Sequence, residues 1–217
     1  MNIINNVKVI VAGSKNIGGY SLAEMLVVIA VATILFLGTN VLFVTVIRTP
    51  TQQLSQANNI DQARKVLASF TNELRNSAAG NDGSYQLSSA GDTQIVFYTS
   101  YGASGSAVNR VRYYLSGTTL YRGVVVPTGS PLAYNLGNET VKVVQNNLAN
   151  GATPVFYYYN DAYSGTSSPL AQPVNLTQVK FAKINLVIKK QNTVTDTSTF
   201  TIDGGAAIRS LKTNLGN

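Results

Sequence analysis

The sequence predicts an α+β protein, in which a long N-terminal helix packs its second half on an antiparallel β domain. Three observations lead to this prediction. Residues 25–47 carry no charge, residues 51–79 repeat apolar side chains at helical spacing, and short β-branched or aromatic runs alternate with Gly, Ser, Thr and Asn from residue 84. We therefore divide the chain into residues 1–19, 20–79 and 80–217.

The first residues permit a competing interpretation, because "VKVIVAGSKNIGG" has the apolar run and the glycines of a dinucleotide-binding turn. Gly13, Gly18 and Gly19 are spaced G-x-x-x-x-G-G, however, and not at the G-x-G-x-x-G spacing that lets backbone approach a pyrophosphate. No Tyr is followed four residues later by Lys, and there is no GxxxxGK[ST] loop. The helix that follows also lacks a polar face. These features argue against a nucleotide-binding enzyme.

The uncharged run from Met25 to Ile47 is long enough to cross a membrane. Its 23 residues span about 34 Å as a helix, at roughly 1.5 Å per residue, against a hydrocarbon core of about 30 Å. A secretory signal is shorter and ends in a small-residue cleavage site, which does not follow here. Glu24 directly precedes this run. Its carboxylate is either an interfacial group that reaches water or a group that pairs with a cation supplied by assembly.

The stretch "GG-YSLAEMLVVIAVATILF" resembles the N-terminal signature of type IV prepilins and pseudopilins. In that family a short basic leader ends in Gly, an aromatic residue begins the mature chain, and a Glu follows four residues later. Gly19, Tyr20 and Glu24 match these positions, although the usual aromatic residue is Phe. The apolar pattern around the Glu is matched by Leu22, Leu26, Val27, Val28 and Ile29.

The resemblance implies a structural subunit that is not an enzyme. A prepilin peptidase would cut between Gly19 and Tyr20 and methylate the new amine. The helices would pack into a filament core, where Glu24 meets the terminal amine of a neighbouring subunit. The implied partners are the peptidase, other pilin or pseudopilin subunits and an inner-membrane assembly platform. The order of the later sequence segments is similar to that in J-type pseudopilins and W-type minor pilins.

The leader carries Lys8 and Lys15 and no acidic residue, which favours a cytoplasmic N-terminus. We expect a single-pass inner-membrane precursor, and then an extracellular or periplasmic filament.

The segment after the apolar run predicts the second half of the helix. Pro50 should kink or interrupt it, because the proline ring clashes with the carbonyl of Val46. We expect one helix over residues 20–79, kinked near Pro50 and ended by the turn-forming residues 80–83. One amphipathic stripe comprises Leu54, Ile60, Ala63, Leu67, Phe70, Leu74 and Ala78.

Residues 80–217 predict an antiparallel sheet of about seven strands. Val111, Tyr113 and Leu115 alternate with Arg110, Arg112 and Tyr114, and "LSGTTLY" predicts a hairpin turn. The same alternation places Ala182, Ile184, Leu186 and Ile188 on one face of a later strand.

Several kinds of chemistry are excluded or disfavoured by composition. The chain has no His and no Cys, which removes histidine bases, thiol nucleophiles, disulfides and the usual zinc sites. Calcium needs six or more converging oxygen ligands. The resemblance to pseudopilins, some of which bind calcium, implies that Asp161 with Asn160 or Asp203 could contribute to such a site, but solvated turn residues are the simpler interpretation. We expect no catalytic residues, no metal and no cofactor.

The chain is basic, with 16 Lys+Arg against 9 Asp+Glu. Arg110, Arg112 and Arg122 lie in one predicted hairpin with Tyr114, and basic groups beside aromatic rings can bind nucleic acid. A DNA-binding pilin that serves DNA uptake is therefore an alternative function. An unrelated single-pass membrane protein with a β ectodomain is another.

Overall fold

The computed structural model of the chain describes residues 18–190 and 198–208. The chain divides into two units, Met1–Thr49 and Pro50–Asn217. Residues 1–17 of the predicted leader lie outside the described residues. An N-terminal apolar helix and antiparallel sheets are present, so the α+β class is confirmed.

Helix α1 comprises Leu22–Arg75, 54 residues. Ser21 precedes it, and the Ser21 Oγ accepts a hydrogen bond of 3.2 Å from the Glu24 N–H, as an N-cap does. The helical backbone continues through Pro50 without interruption, and the kink expected there stays a prediction.

Helix α1 ends four residues before the predicted end at residue 79. Ser77 pairs with Thr99 of the neighbouring sheet, and the Ala78 N–H donates to the Tyr98 carbonyl. The backbone therefore leaves the helix to bond to a strand, and the predicted terminating residues 80–83 form a turn farther on.

Within the described part of the chain, eight strands follow the helix, in two antiparallel sheets. A five-stranded sheet has the order β1-β2-β3-β4-β5, with strands Leu87–Ala90, Gln94–Thr99, Asn109–Ser116, Thr119–Val125 and Thr140–Gln145. A three-stranded sheet has the order β6-β7-β8, with strands Phe156–Tyr159, Phe181–Lys189 and Thr199–Ala207. Two short 3-10 helices, Leu136–Asn138 and Leu176–Gln178, lie in the connections.

The seven predicted strands correspond to β2 through β8, and β1 is additional. Strand β1 reads "LSSA", without β-branched or aromatic residues, so its composition does not predict a strand. The β3–β4 turn is a two-residue loop, in which Gly117 has a φ of 60°, a conformation that glycine adopts without strain.

The core of the second unit is formed by one face of α1 and by both sheets. The Phe70 ring lies 6.2 Å from Phe97 and 5.5 Å from Tyr113 in the first sheet, and 5.9 Å from Phe156 in the second, measured between centroids. A Cβ on Gly204 would lie 2.5 Å from Leu67 Cδ2, so the absence of a side chain there lets α1 approach β8 closely.

Strand β5 is one of the two edge strands of the five-stranded sheet, and β1 is the other. Val141, Lys142 and Val143 are all exposed on it. Near its end the Gln62 side chain of α1 donates a hydrogen bond of 2.9 Å to the Val144 carbonyl. Helix α1 thus covers part of this edge.

Candidate functional site

The predicted cleavage position lies in non-helical backbone directly before α1. Gly18 and Gly19 have open space where a side chain would stand, with no atom within 4 Å of an added Cβ. Tyr20 is 76% exposed. The Gly19–Tyr20 peptide is thus sterically accessible in the conformation that the structure describes.

Glu24 lies in the first turn of α1, close to the N-terminus of the helix dipole. Its side chain is exposed, and no cation forms an ion pair with it among residues 18–190 and 198–208. The predicted partner, a terminal amine of another subunit, is not part of a single chain. Glu24 therefore provides a carboxylate at the start of an apolar surface.

That apolar surface is formed by Leu22–Asn40, whose mean hydropathy is 2.3, and this 19-residue stretch is long and apolar enough to cross a membrane. None of it is buried by the rest of the protein. The polar side chains bond to the helix itself, since Thr33 Oγ1 donates to the Ile29 carbonyl at 2.7 Å and Asn40 Nδ2 to the Phe36 carbonyl at 2.7 Å. The exposed large apolar side chains include Leu26, Val27, Val28, Ile29, Ile34, Leu35 and Phe36.

The three arginines of the predicted nucleic-acid site do not share one surface. In the β3–β4 register Tyr113 lies opposite Arg122, and Arg112 lies opposite Gly123. Opposite residues of an antiparallel pair point to the same side, and successive residues alternate. Arg110 and Arg112 are therefore on one side of the sheet, and Arg122 is on the other side, which faces α1.

Arg122 takes part in a buried ionic cluster with the helix. Its Nη2 lies 2.7 Å from Glu73 Oε1, and its Nε donates to the same oxygen at 3.0 Å. The Tyr113 hydroxyl donates to Glu73 Oε2 at 2.9 Å, and Ser69 Oγ donates to Oε1 at 3.1 Å. Glu73 is only 2% exposed, so this carboxylate depends on these donors for its stabilisation.

The cluster also affects Tyr113. Burial raises the pKa of the Tyr113 phenol well above its ordinary value, and the neighbouring Glu73 carboxylate adds to this effect. Tyr113 therefore remains a hydrogen-bond donor throughout the physiological range.

Arg112 forms a two-point ion pair with Glu139. Arg112 Nε donates to Glu139 Oε1 at 2.9 Å, and Nη2 donates to Oε2. The hydrogen bond from Arg112 lowers the pKa of the Glu139 carboxyl below its ordinary value. A Cβ on Gly123 would lie 2.3 Å from Glu139 Oε1, so the pair needs glycine at that position.

The Arg112 guanidinium also lies 4.0 Å from the centroid of the Tyr114 ring, which stacks on Tyr121 at 5.2 Å. Two of the three arginines predicted to bind nucleic acid are thus paired with carboxylates, and Arg110 forms no ion pair among the described residues.

Neither Glu73 nor Glu139 was predicted as a functional residue from the sequence. A usable signal was present for Glu73, because Arg122 lies two residues from both Leu120 and Val124 on β4 and therefore shares their side of the strand, which faces the core. A cation at such a position requires an acidic partner, and Glu73 lies beside the apolar stripe of α1. Glu139 gave no comparable signal, since it follows a loop.

Two of the three residues considered for calcium, Asp203 and Asn160, have other partners. Asp203 Oδ2 lies 2.7 Å from Lys183 Nζ, and Asn160 Oδ1 accepts the Ala162 N–H at 3.2 Å. Within residues 18–190 and 198–208 no three acidic, histidine or cysteine side chains are grouped as a metal site would require.

No protein-family model matches the sequence, and no curated protein matches it significantly.

Proposed function

We propose that the protein is a structural subunit of a type IV filament, namely a minor pilin or a pseudopilin of a pilus or of a type II secretion-like system. It is cut between Gly19 and Tyr20, held in the inner membrane by the first part of α1, and assembled through that helix. It carries out no catalysis. Its partners are a prepilin peptidase, other pilin or pseudopilin subunits and an assembly platform in the inner membrane.

One observation carries this proposal. An accessible Gly–aromatic peptide stands directly before a helix whose first turn holds a carboxylate and whose next 16 residues, Met25–Asn40, are uncharged and exposed. A membrane anchor alone requires the apolar residues and gives no reason for a glutamate at their start, because such a charge is unfavourable in hydrocarbon. A filament gives that carboxylate a partner.

The two parts of α1 have different tasks in this proposal. Residues before Pro50 form the membrane anchor and then the filament core, while the later residues are held in the β domain. A bend near Pro50 would let the second unit change its angle when the subunit leaves the membrane.

Mass spectrometry of the mature N-terminus tests the proposal. We expect the chain to begin at Tyr20, with one methyl group on its amine. Gly19→Val should leave a longer precursor in the membrane, because the peptidase must accommodate this residue closely. Gly18→Val is the matched control and should be processed, since Gly18 has the same open surroundings. Purified protein that retains Met1 would overturn the proposal and favour an unrelated single-pass protein.

DNA binding remains a separate prediction. Because Arg112 and Arg122 are paired with carboxylates, only Arg110 among the three predicted cations is left to contact phosphate directly. Salt-sensitive binding of duplex DNA that is lost with Arg110→Gln would support the DNA-uptake alternative.

A further inference from the structure

A cavity of about 480 Å³ lies beside the Glu73–Arg122 pair. Its lining includes residues from the end of α1, from β3, β4 and β5 and from the loops that follow β2 and β4. This volume is in the range of small-molecule sites, which are clefts of about 300–1,000 Å³ with a few converging polar groups.

The charges at this cavity are unbalanced. Arg122 of β4 lies directly opposite Lys142 of β5, so the two cations share one side of the sheet. Like charges in this relation are unfavourable, and the one carboxylate in the lining, Glu73, is already bonded to Arg122. Lys142 has no ion pair among the described residues. The lining therefore has a net charge of about +1, from two cations and one carboxylate.

The polar side chains beside these charges can form hydrogen bonds with the hydroxyls of a ligand. Thr128 and Thr140 line the cavity, and so does Asn109, which is 8% exposed. No hydrogen-bond partner holds Asn109 Oδ1. This oxygen is itself buried, so the amide must rotate to meet a ligand hydroxyl, and the rotation brings either its acceptor or its donor to the cavity.

The wall also has an apolar part. Tyr101 is 44% exposed and Val126 is 55% exposed, and both line the cavity. An aromatic ring and a valine methyl pair provide contact for the C–H face of a small ring. A ring with hydroxyls and one carboxylate would use all three parts of the lining.

The negative charge of Glu73 limits the choice of anion. Glu73 repels any anion, but a carboxylate carries a single charge and leaves the filled site neutral, whereas a phosphate monoester carries about −1.5 to −2 charges at pH 7 and would leave the filled site negative.

We propose that this cavity binds a hydroxylated ring with one carboxylate, the chemistry of a uronic acid unit. Its carboxylate forms ion pairs with Lys142 and Arg122. Its hydroxyls form hydrogen bonds with Asn109, Thr128 and Thr140, and its ring packs against Tyr101. The proposal does not depend on filament assembly, because every residue in it belongs to the second unit.

Calorimetric titration of the full-length chain in detergent micelles tests the proposal. The probes are glucuronate, glucose, acetate and inorganic phosphate at constant ionic strength. Glucuronate should give a saturable isotherm, and the other three should bind at least about tenfold more weakly, because each lacks the hydroxyls, the carboxylate or the single charge. A uronate-terminated disaccharide and an internal-uronate oligosaccharide then distinguish a free sugar acid from a polymer as the source.

Two variants locate the site. Lys142→Gln should weaken glucuronate binding by about tenfold, the loss of one charge-assisted contact. Lys189→Gln, an exposed lysine of β7 in the other sheet, is the matched control and should bind as the wild type does. Thr140→Val removes one hydroxyl at constant volume and should weaken glucuronate binding more than acetate binding.

Absence of saturation by glucuronate would overturn the proposal, as would acetate or phosphate binding as tightly as glucuronate. Equal losses from Lys142→Gln and Lys189→Gln would also overturn it, because they would show a general effect of surface charge.

Discussion

Glu24 and Tyr20 are four residues apart, with Glu24 in the first turn of α1 and Tyr20 in the non-helical backbone just before it. In hydrocarbon the cost of a lone carboxylate falls when a cation lies beside it. Among the described residues, Ser21 caps the Glu24 N–H and no cation pairs with the Glu24 side chain, so an incoming amine would be its first charged partner there.

We predict that Glu24→Leu is inserted and processed but enters filaments poorly. Removing one member of a buried charge pair typically costs about 3–5 kcal/mol, and the Tyr20 amine of the neighbour would be the group left unpaired. Glu24→Asp keeps the charge on a shorter stem and should be partly tolerated. The measurement is the ratio of filament-associated to membrane-associated protein. The same ratio for wild type and Glu24→Leu would show that the glutamate is only interfacial.

A second prediction at this scale concerns the Arg112–Glu139 pair and pH. The pKa of Glu139 is lowered in the folded state, so the pair stabilises the fold above the unfolded pKa of about 4.3 and this stabilisation is lost as pH falls through the lower folded pKa. We expect about 1 kcal/mol of the unfolding free energy to disappear below pH ~4.

Urea unfolding, followed by the near-ultraviolet circular dichroism of the tyrosines, measures this dependence between pH 3 and pH 7. In Glu139→Gln the unfolding free energy should fall less at acidic pH than it does in the wild type. Asp61→Asn, in the exposed pair with Arg64 at 3.6 Å, is the matched control. The same loss of unfolding free energy at acidic pH in wild type and Glu139→Gln would contradict the prediction.

At the scale of elements, the Glu73 cluster connects α1 to β3 and β4. Arg122→Met should destabilise the second unit by about 3–5 kcal/mol, because it leaves the Glu73 carboxylate buried without its cation. The double variant Glu73→Leu with Arg122→Met should recover most of this loss, since no charge is then buried. The same urea assay measures each variant.

Asp61→Asn again provides the comparison, because both partners of that pair are more than half exposed and such pairs contribute about 0–1 kcal/mol. A loss from Arg122→Met no larger than that from Asp61→Asn would refute the role of the cluster.

The elements differ in how well the sequence predicted them. Burial alternates along all of β7 and along β3 as far as Tyr114, and Val111, Tyr113, Ile184 and Leu186 are fully buried. Period-two patterns of this kind can be recognised in sequence. Strand β1 could not be recognised, because its pairing with β2 and the burial of Leu87 decide its conformation. The end of α1 depends on hydrogen bonds to residues 98 and 99, which are remote in sequence.

Some residues of the candidate site could be predicted from the sequence, and others could not. Gly19, Tyr20 and Glu24 are contiguous and follow from local spacing. Strand register decides which arginines lie on the same side of the sheet. Arg122 is neutralised by Glu73, which is 49 residues away in sequence, and Arg112 by Glu139, which is 27 residues away.

At the scale of the whole molecule, the chain combines an apolar exposed helix with a basic β-rich unit, and its net charge is +7. We predict that it stays in the membrane fraction after washing with high salt and with alkaline carbonate, because the apolar area of Leu22–Asn40 and not charge would hold it there.

Val31→Arg should release part of the chain from membranes, since a charge near the middle of the span costs about 2.5–3.5 kcal/mol on insertion scales. Val143→Arg adds the same charge to an exposed position on β5 and should leave the chain in the membrane. Equal extraction of the two variants would argue against a spanning helix.

The outer position of β5 has one more consequence. A strand whose edge is unpaired is a template on which another sheet can grow, and a lysine between two valines is a common obstacle to such growth. Lys142 stands between the exposed Val141 and Val143, so we expect its charge to oppose the extension of one copy's sheet by another. Neutralising it would remove that obstacle, and a Lys142 variant must be shown to be free of aggregates before its affinity for any ligand is interpreted.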